Sequence, residues 1–227
     1  MKKIYVAALL SCLVSPLSWA GIITGQDENI GQGDLLSSTD NAFTQFTSGF
    51  EVWGEESFES VAPGTNAYKN PIVMDFGHGI SAELSGAGVV LDELRWGRFP
   101  LHGDHYYNVA GTFTITFAQA INAFGFLGLD INDVGGVLSV AIDDLEPVVV
   151  DSTFGTTNAL FWGLTSDTPF QSITFFNSSG TIKANDGFGF DRFVVGITPV
   201  SEPQGIAALA LLMLGGIAYR SKHRKGS

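Results

Sequence analysis

Gly111-Thr-Phe-Thr-Ile-Thr-Phe117 decides the class of this fold. Phe113, Ile115 and Phe117 alternate with Thr112, Thr114 and Thr116. Successive side chains point to opposite faces of a strand, so the three apolar groups share one side. Working outward, short apolar or alternating segments recur at 72–76, 89–94, 123–129, 137–142, 148–151, 160–164, 172–176 and 188–197. Glycine and aspartate between them supply tight turns. No stretch of a dozen residues or more keeps a clean helical period, so the chain reads as all-β. Its 18 phenylalanines would fill the space between two sheets, and the expected form is a jelly-roll-like β-sandwich. The absence of a fixed repeat argues against a propeller or solenoid.

Charge narrows the partners. The segment between the two termini keeps only Lys69, Arg95, Arg98, Lys183 and Arg192 as cations, and it holds every acidic residue except Glu202. That leaves 22 of the 23 acids against five cations, a net charge of 5 − 22 = −17. Such a body repels phosphate backbones, so no nucleic-acid partner is expected. Divalent cations and neutral polymers suit it better.

Two Gly-rich loops gather oxygen ligands. Asp130, Asn132 and Asp133 lie in one, and Asp186 and Asp191 in the other. Calcium takes six to eight hard oxygens, which makes a structural calcium ion the candidate cofactor. The EF-hand template fails, because Val134 and Ala141 fall where it requires acids. The other reading of the same residues is Asx turns at strand ends. His102 and His105 are spaced for a shared metal, but no third ligand lies near them in sequence. Trp96, Phe99, Tyr106 and Tyr107 offer aromatic surface beside Arg95 and Arg98, a candidate glycan contact; their other reading is core. Glu51, Glu55, Glu56 and Glu59 crowd around Trp53 and Phe58, and glycoside hydrolysis would need two such carboxyls facing across a cleft. The threonine row on 112–116 hints at a crystal-binding face, yet only one strand carries it in sequence. No nucleophile elbow, phosphate-binding loop or His-Glu-x-x-His helix is present.

The ends carry export chemistry. Met1-Lys2-Lys3 is a basic start, 4–14 an apolar run, and Ser18-Trp19-Ala20 a cleavage site that leaves Gly21 first. Cys12, the single cysteine, lies inside that leader, which excludes disulfides from the mature chain. Residues 21–41, rich in Gly, Ser, Asp and Asn, read as a flexible lead-in, and 42–198 as the sandwich. At the far end Ser201-Glu202-Pro203 precedes an uncharged apolar run at 205–219, then Arg220, Lys222, Arg224 and Lys225 within 220–225. At ~1.5 Å per residue that run spans about 22 Å, a little short of a ~30 Å hydrocarbon core, and a single transmembrane helix is expected once snorkelling flanks are counted. The basic cluster holds its end on the cytoplasmic side.

This layout over 199–225 resembles the PEP-CTERM sorting tail of Gram-negative bacteria, with Ser201 standing where the pattern has its first proline. The resemblance implies an exosortase-type membrane protease as partner, acting at Glu202-Pro203. It also implies an inner-membrane intermediate during export, and delivery to the cell surface or extracellular matrix. The order of segments 112–117, 121–130 and 186–191 is similar in outline to exported β-sandwich domains of the carbohydrate-binding and legume-lectin-like kind. The expected function is therefore a non-enzymatic surface or matrix protein with exopolysaccharide as a partner. The alternatives are a secreted carbohydrate-active enzyme and a plainly anchored adhesion or ice-binding type of protein.

Overall fold

The structure, a computed structural model, describes residues 19–132, 136–152, 157–179 and 187–197. The leader before Trp19 and the whole sorting tail, including Ser201, Glu202, Pro203, the apolar run and the basic cluster, lie outside the described residues. The chain divides after Ile197 into two units, and every described residue belongs to the first.

Eleven strands and one helix make up the described residues. The strands are β1 (Trp19–Asp27), β2 (Val52–Glu56), β3 (Ile72–Asp75), β4 (Ser81–Gly86), β5 (Val89–Leu91), β6 (Tyr106–Val109), β7 (Phe113–Leu129), β8 (Gly136–Ile142), β9 (Val148–Val149), β10 (Ala159–Ser179) and β11 (Phe188–Ile197). Helix α1 (Ser37–Thr47) follows β1. Each strand pairing is antiparallel, and the protein is mostly β, as the alternation at 111–117 predicts.

Strands β7 and β10 organise the sheet. Each joins two segments that read separately in sequence, and each pairs with different neighbours along its length. Residues 113–116 of β7 face 172–175 of β10, with β4 and β8 on the outer sides. Residues 121–129 face 159–170, with β11 and β1 outside. The register shifts around Phe170, next to Pro169, which has no N–H for a ladder and is tolerated at such irregularities. Between Phe113 and Phe117 only alternate residues are buried, whereas from Ile121 to Leu129 every residue is. The second stretch is covered on both faces: Phe124 and Phe126 point into the main core, and Ala123 and Leu127 meet Phe43 and Phe46 of α1.

The lead-in expected at 21–41 is overturned. It holds most of β1 and the first turn of α1. Gly25, which looks like a loop residue, is where the helix crosses the strand: a Cβ there would lie 2.3 Å from the Ser38 carbonyl oxygen. The helix buries Thr39, Ala42, Phe43, Phe46 and Thr47, an i, i+3, i+4, i+7, i+8 stripe diluted by hydroxyl residues. Asp27 at the end of β1 caps it across the chain, accepting hydrogen bonds from the Ser38 and Thr39 amides at 3.0 and 2.9 Å. Burial pushes the Asp27 carboxyl up, but the Thr39 and Ser38 donors outweigh it and leave it below the usual value. Among the described residues, no helix is long and apolar enough to cross a membrane. The expected cleavage after Ala20 falls at the start of β1, and the unbroken register with β10 runs from Gly21 to Asp27.

Candidate functional site

Strand β2 pairs with the end of β11, Val52 opposite Ile197 and Glu56 opposite Phe193. Alternation along β2 places Trp53 and Glu55 on one side and turns Gly54 and Glu56 inward, and Glu51 lies just before the strand. The four glutamates that cluster in sequence therefore part company. Glu56 is buried and accepts hydrogen bonds from the Phe58 amide at 2.7 Å and the Asp75 amide at 3.3 Å; burial holds its carboxyl above the usual range against those donors. Glu59 takes the Asp104 and His105 amides, both at 2.9 Å. Glu55 pairs with Arg192 Nε at 2.9 Å.

Arg192 reaches that position because β11 breaks register between Asp191 and Val194 and takes a left-handed φ of 44° at Arg192. Its guanidinium carbon lies 3.7 Å from the centroid of the Phe43 ring, a cation–π contact. Trp53 meets the same ring edge-on at 5.8 Å and stays 36% exposed. A groove of about 490 Å³ opens beside it, lined by Glu51–Glu55 on one wall and Phe76, Gly77 and His78 on the other. The second wall is the β3–β4 turn, where Gly77, His78 and Gly79 all adopt positive φ and the Gly77 amide is held by Asp75 Oδ1 at 2.9 Å. The two walls touch at Gly54, where a Cβ would sit 1.9 Å from the Phe76 carbonyl oxygen.

The glycan-contact set does not form one surface. Phe99, Tyr106 and Tyr107 are core, 4%, 1% and 0% exposed. Tyr107 stacks on Phe58 at 5.7 Å and its hydroxyl donates to the Ala87 carbonyl, while the Tyr106 hydroxyl lies 3.1 Å from the Arg98 carbonyl. Burial pushes Tyr106 up to about 12 and Tyr107 higher still. Only Trp96 remains outside, 69% exposed. It sits with Gly97 at the tip of a two-residue turn, both at positive φ, closed by paired Arg95 and Arg98 backbone hydrogen bonds. The Arg95 and Arg98 guanidinium carbons lie 4.5 and 5.6 Å from its ring.

The described members of the calcium set, Asp130, Asn132 and Asp191, each hold protein partners. Asp130 Oδ2 binds Arg98 Nη1 at 2.9 Å in a buried ion pair, and Arg98 also reaches Asn108 Oδ1 and the Gly187 carbonyl, each at 2.7 Å. Asn132 accepts from the Leu138 amide and donates to the Val150 carbonyl, both at 2.7 Å. Asp191 accepts the Leu101, His102 and Arg192 amides at 2.9, 2.8 and 2.7 Å; its deep burial pushes its carboxyl well up despite them. These are loop-pinning roles of the Asx kind. Asp133 and Asp186 lie outside the described residues. His105 Nδ1 contacts the Phe58 carbonyl at 3.0 Å, and no three His, Cys, Asp or Glu side chains converge on a metal position among the described residues.

The threonine row extends further than one strand. Thr114 stands opposite Thr174 and Ser85, its hydroxyl 3.0 Å from that of Thr174, and Thr116 stands opposite Ser172 and Glu83. Sequence reasoning missed this and the groove beside Trp53. The groove has no local signal, because its second wall, Phe76–His78, comes from a turn more than 20 residues further along the chain. No known family model and no curated protein matches the chain.

Proposed function

We propose that this chain is an exported, non-enzymatic surface or matrix protein. In this reading a jelly-roll-like β-sandwich is the cargo, an exosortase-type membrane protease is the processing partner, and exopolysaccharide is the ligand. The observation that carries it is the order of chemistry over 199–225: Glu202-Pro203, an uncharged apolar run, then Arg220, Lys222, Arg224 and Lys225. The run halts translocation, the cations keep the end inside, and the Glu-Pro hinge is left at the outer interface for cleavage.

Three structural features support the division of labour. The last described strand, β11, ends at Ile197, where the chain divides into two units. Phe113 and Phe175 of one half of the sheet meet Phe124, Phe126 and Phe190 of the other at 5.2–6.0 Å, as opposed inner faces of a sandwich would. Two carboxylates of the β2 cluster serve the fold itself: Glu55 pairs with Arg192, and Glu56 accepts the Phe58 and Asp75 amides.

Intact-mass measurement tests this reading. The mature protein from wild-type cells is expected to lack the tail beyond the Glu202-Pro203 region. The protein from exosortase-deficient cells, or carrying Glu202→Ala, is expected to retain it. An identical mass in all three would overturn the sorting mechanism.

A further inference from the structure

We infer that the outer edge of β1 is a homodimer interface, where a second copy of this chain pairs strand to strand, antiparallel, about a two-fold axis at Thr24. This goes beyond the sorting reading and does not depend on the tail. Its register uses the cleavage after Ala20 expected from the leader.

A strand at the edge of a sheet presents a row of unpaired amides and carbonyls, and proteins blunt such edges with shortness, charge, proline or a covering segment. Five described strands have a single strand neighbour: β1, β2, β3, β5 and β9. Four of them are blunted. β9 is two residues long and follows Pro147. β5 is three residues long and is covered by the 64–67 segment: the Val90 amide donates to the Thr65 carbonyl at 3.0 Å, and the Gly64 amide to the Val90 carbonyl at 2.8 Å. β3 has four residues, following Pro71 and ending on Asp75. β2 has five, two of them Glu55 and Glu56. β1 has none of these devices. It is nine residues long, and from Trp19 to Gln26 it holds no charge and no proline. Its register with β10 is unbroken from Gly21 to Asp27.

Charge and symmetry name the occupant. The body carries a net charge of 5 − 22 = −17, so an uncharged edge is where two copies approach with least repulsion. An antiparallel edge is its own complement under a two-fold axis, which makes the contact isologous. An axis at Thr24 pairs the whole of Gly21–Asp27: Thr24 stands opposite itself, Ile22 opposite Gln26, and Gly21 opposite Asp27. With the leader cleaved, the Gly21 ammonium of each copy stands beside the Asp27 carboxylate of the other, and the two Asp27 groups lie at opposite ends. Ile22, 46% exposed, and the exposed Thr24 are the side chains that this pairing covers. The flank of α1 beside the edge is neutral too. Ser38 and Ala42 lie against Gly25, and Asn41 and Gln45 continue that side of the helix.

The test is sedimentation velocity of the mature protein purified from wild-type cells, run over a range of concentrations. A concentration-dependent dimer is expected. Thr24→Lys sets two ammonium groups opposite each other and should raise the dimer Kd by roughly tenfold or more, with circular dichroism checking that the variant is folded. A second variant checks the register, because the single cysteine, Cys12, leaves with the leader. Directly opposed residues lie about 4.5–5.5 Å apart at Cβ, close to disulfide range, so Thr24→Cys should give a covalent dimer on mild oxidation. Ile22→Cys, whose two copies are offset by four residues or about 13 Å, should not. A monomer at every concentration would overturn the interface. So would a dimer indifferent to Thr24→Lys, which would assign association to the tail or to another surface. Cross-linking of Ile22→Cys as readily as Thr24→Cys would overturn the two-fold axis at Thr24.

Discussion

Replacing Arg98 by Met tests whether the buried cation holds this end of the sheet together. Arg98 is 5% exposed and makes three hydrogen bonds at 2.7–2.9 Å, to Asn108, Asp130 and the Gly187 carbonyl. Methionine keeps the aliphatic stem but leaves the Asp130 carboxylate, itself 8% exposed, without its counter-ion. Removing one partner of a buried pair costs about 3–5 kcal/mol, because the other charge stays desolvated. For a folded part of this size each kcal/mol moves the thermal midpoint by roughly 2–4 °C, so a fall of about 6–20 °C is expected. The second variant makes the reasoning falsifiable. Asp130 has φ 66°, a conformation asparagine tolerates, so Asp130→Asn removes the charge without backbone strain. Added to Arg98→Met, it should recover part of the lost stability. Urea denaturation of the full chain followed by tryptophan fluorescence measures both. If Arg98→Met loses less than about 1 kcal/mol, the pair behaves like an exposed one, and the burial argument fails. If Asp130→Asn lowers the Arg98→Met protein further, the unpaired charge is not what costs.

Gly54→Ala should destabilise by about 1–3 kcal/mol, because the added Cβ meets the Phe76 carbonyl at 1.9 Å and backbone must give way; an unchanged midpoint would mean the two walls of the groove are not in contact. Asp27→Ala removes the cap on α1 and should cost about 1 kcal/mol, read as a midpoint lower by roughly 2–4 °C. Burial raises Asp191 above its ordinary 3.8, so the native state binds that proton more tightly than the unfolded chain does. Its contribution to stability is complete below 3.8 and declines as pH rises above it, and Asp191→Asn should remove that component of the slope when urea midpoints are compared across pH. Calcium chelation should leave the midpoint unchanged, since Asp130, Asn132 and Asp191 spend their oxygens on protein partners. A fall of several degrees with chelator would assign an ion to the loops that also carry Asp133 and Asp186.

Local period carried the β class. The alternation at 111–117 appears in the structure residue for residue, and 137–142 and 188–197 appear almost unshifted as β8 and β11. Where reading failed, the deciding contact was distant. Gly25 looks like a loop glycine until α1 lies across it, and Ser37–Thr47 looks polar until Phe161 and Val194 give its stripe something to cover. Tyr106 and Tyr107 are adjacent, so an open strand would expose one of them. Both are buried because β6 is covered on both faces, and loop carbonyls satisfy both hydroxyls.

The carboxylates follow the same logic. In a body with so few cations, the role of each acid depends on which ones a cation reaches. Arg98 reaches Asp130 from 32 residues away and Arg192 reaches Glu55 from 137 away, separations at which sequence offers no pattern. Asp191 is held by three backbone amides, two of them 90 and 89 residues away, at Leu101 and His102. Glu55 shares a face with Trp53 for a different reason: period two puts residues 53 and 55 of β2 on the same side. That spacing is local and lies in plain view in the sequence. What it does not show is that the Phe76 carbonyl lies against Gly54 on the other face, or that Arg192 takes the Glu55 carboxylate from 137 residues away.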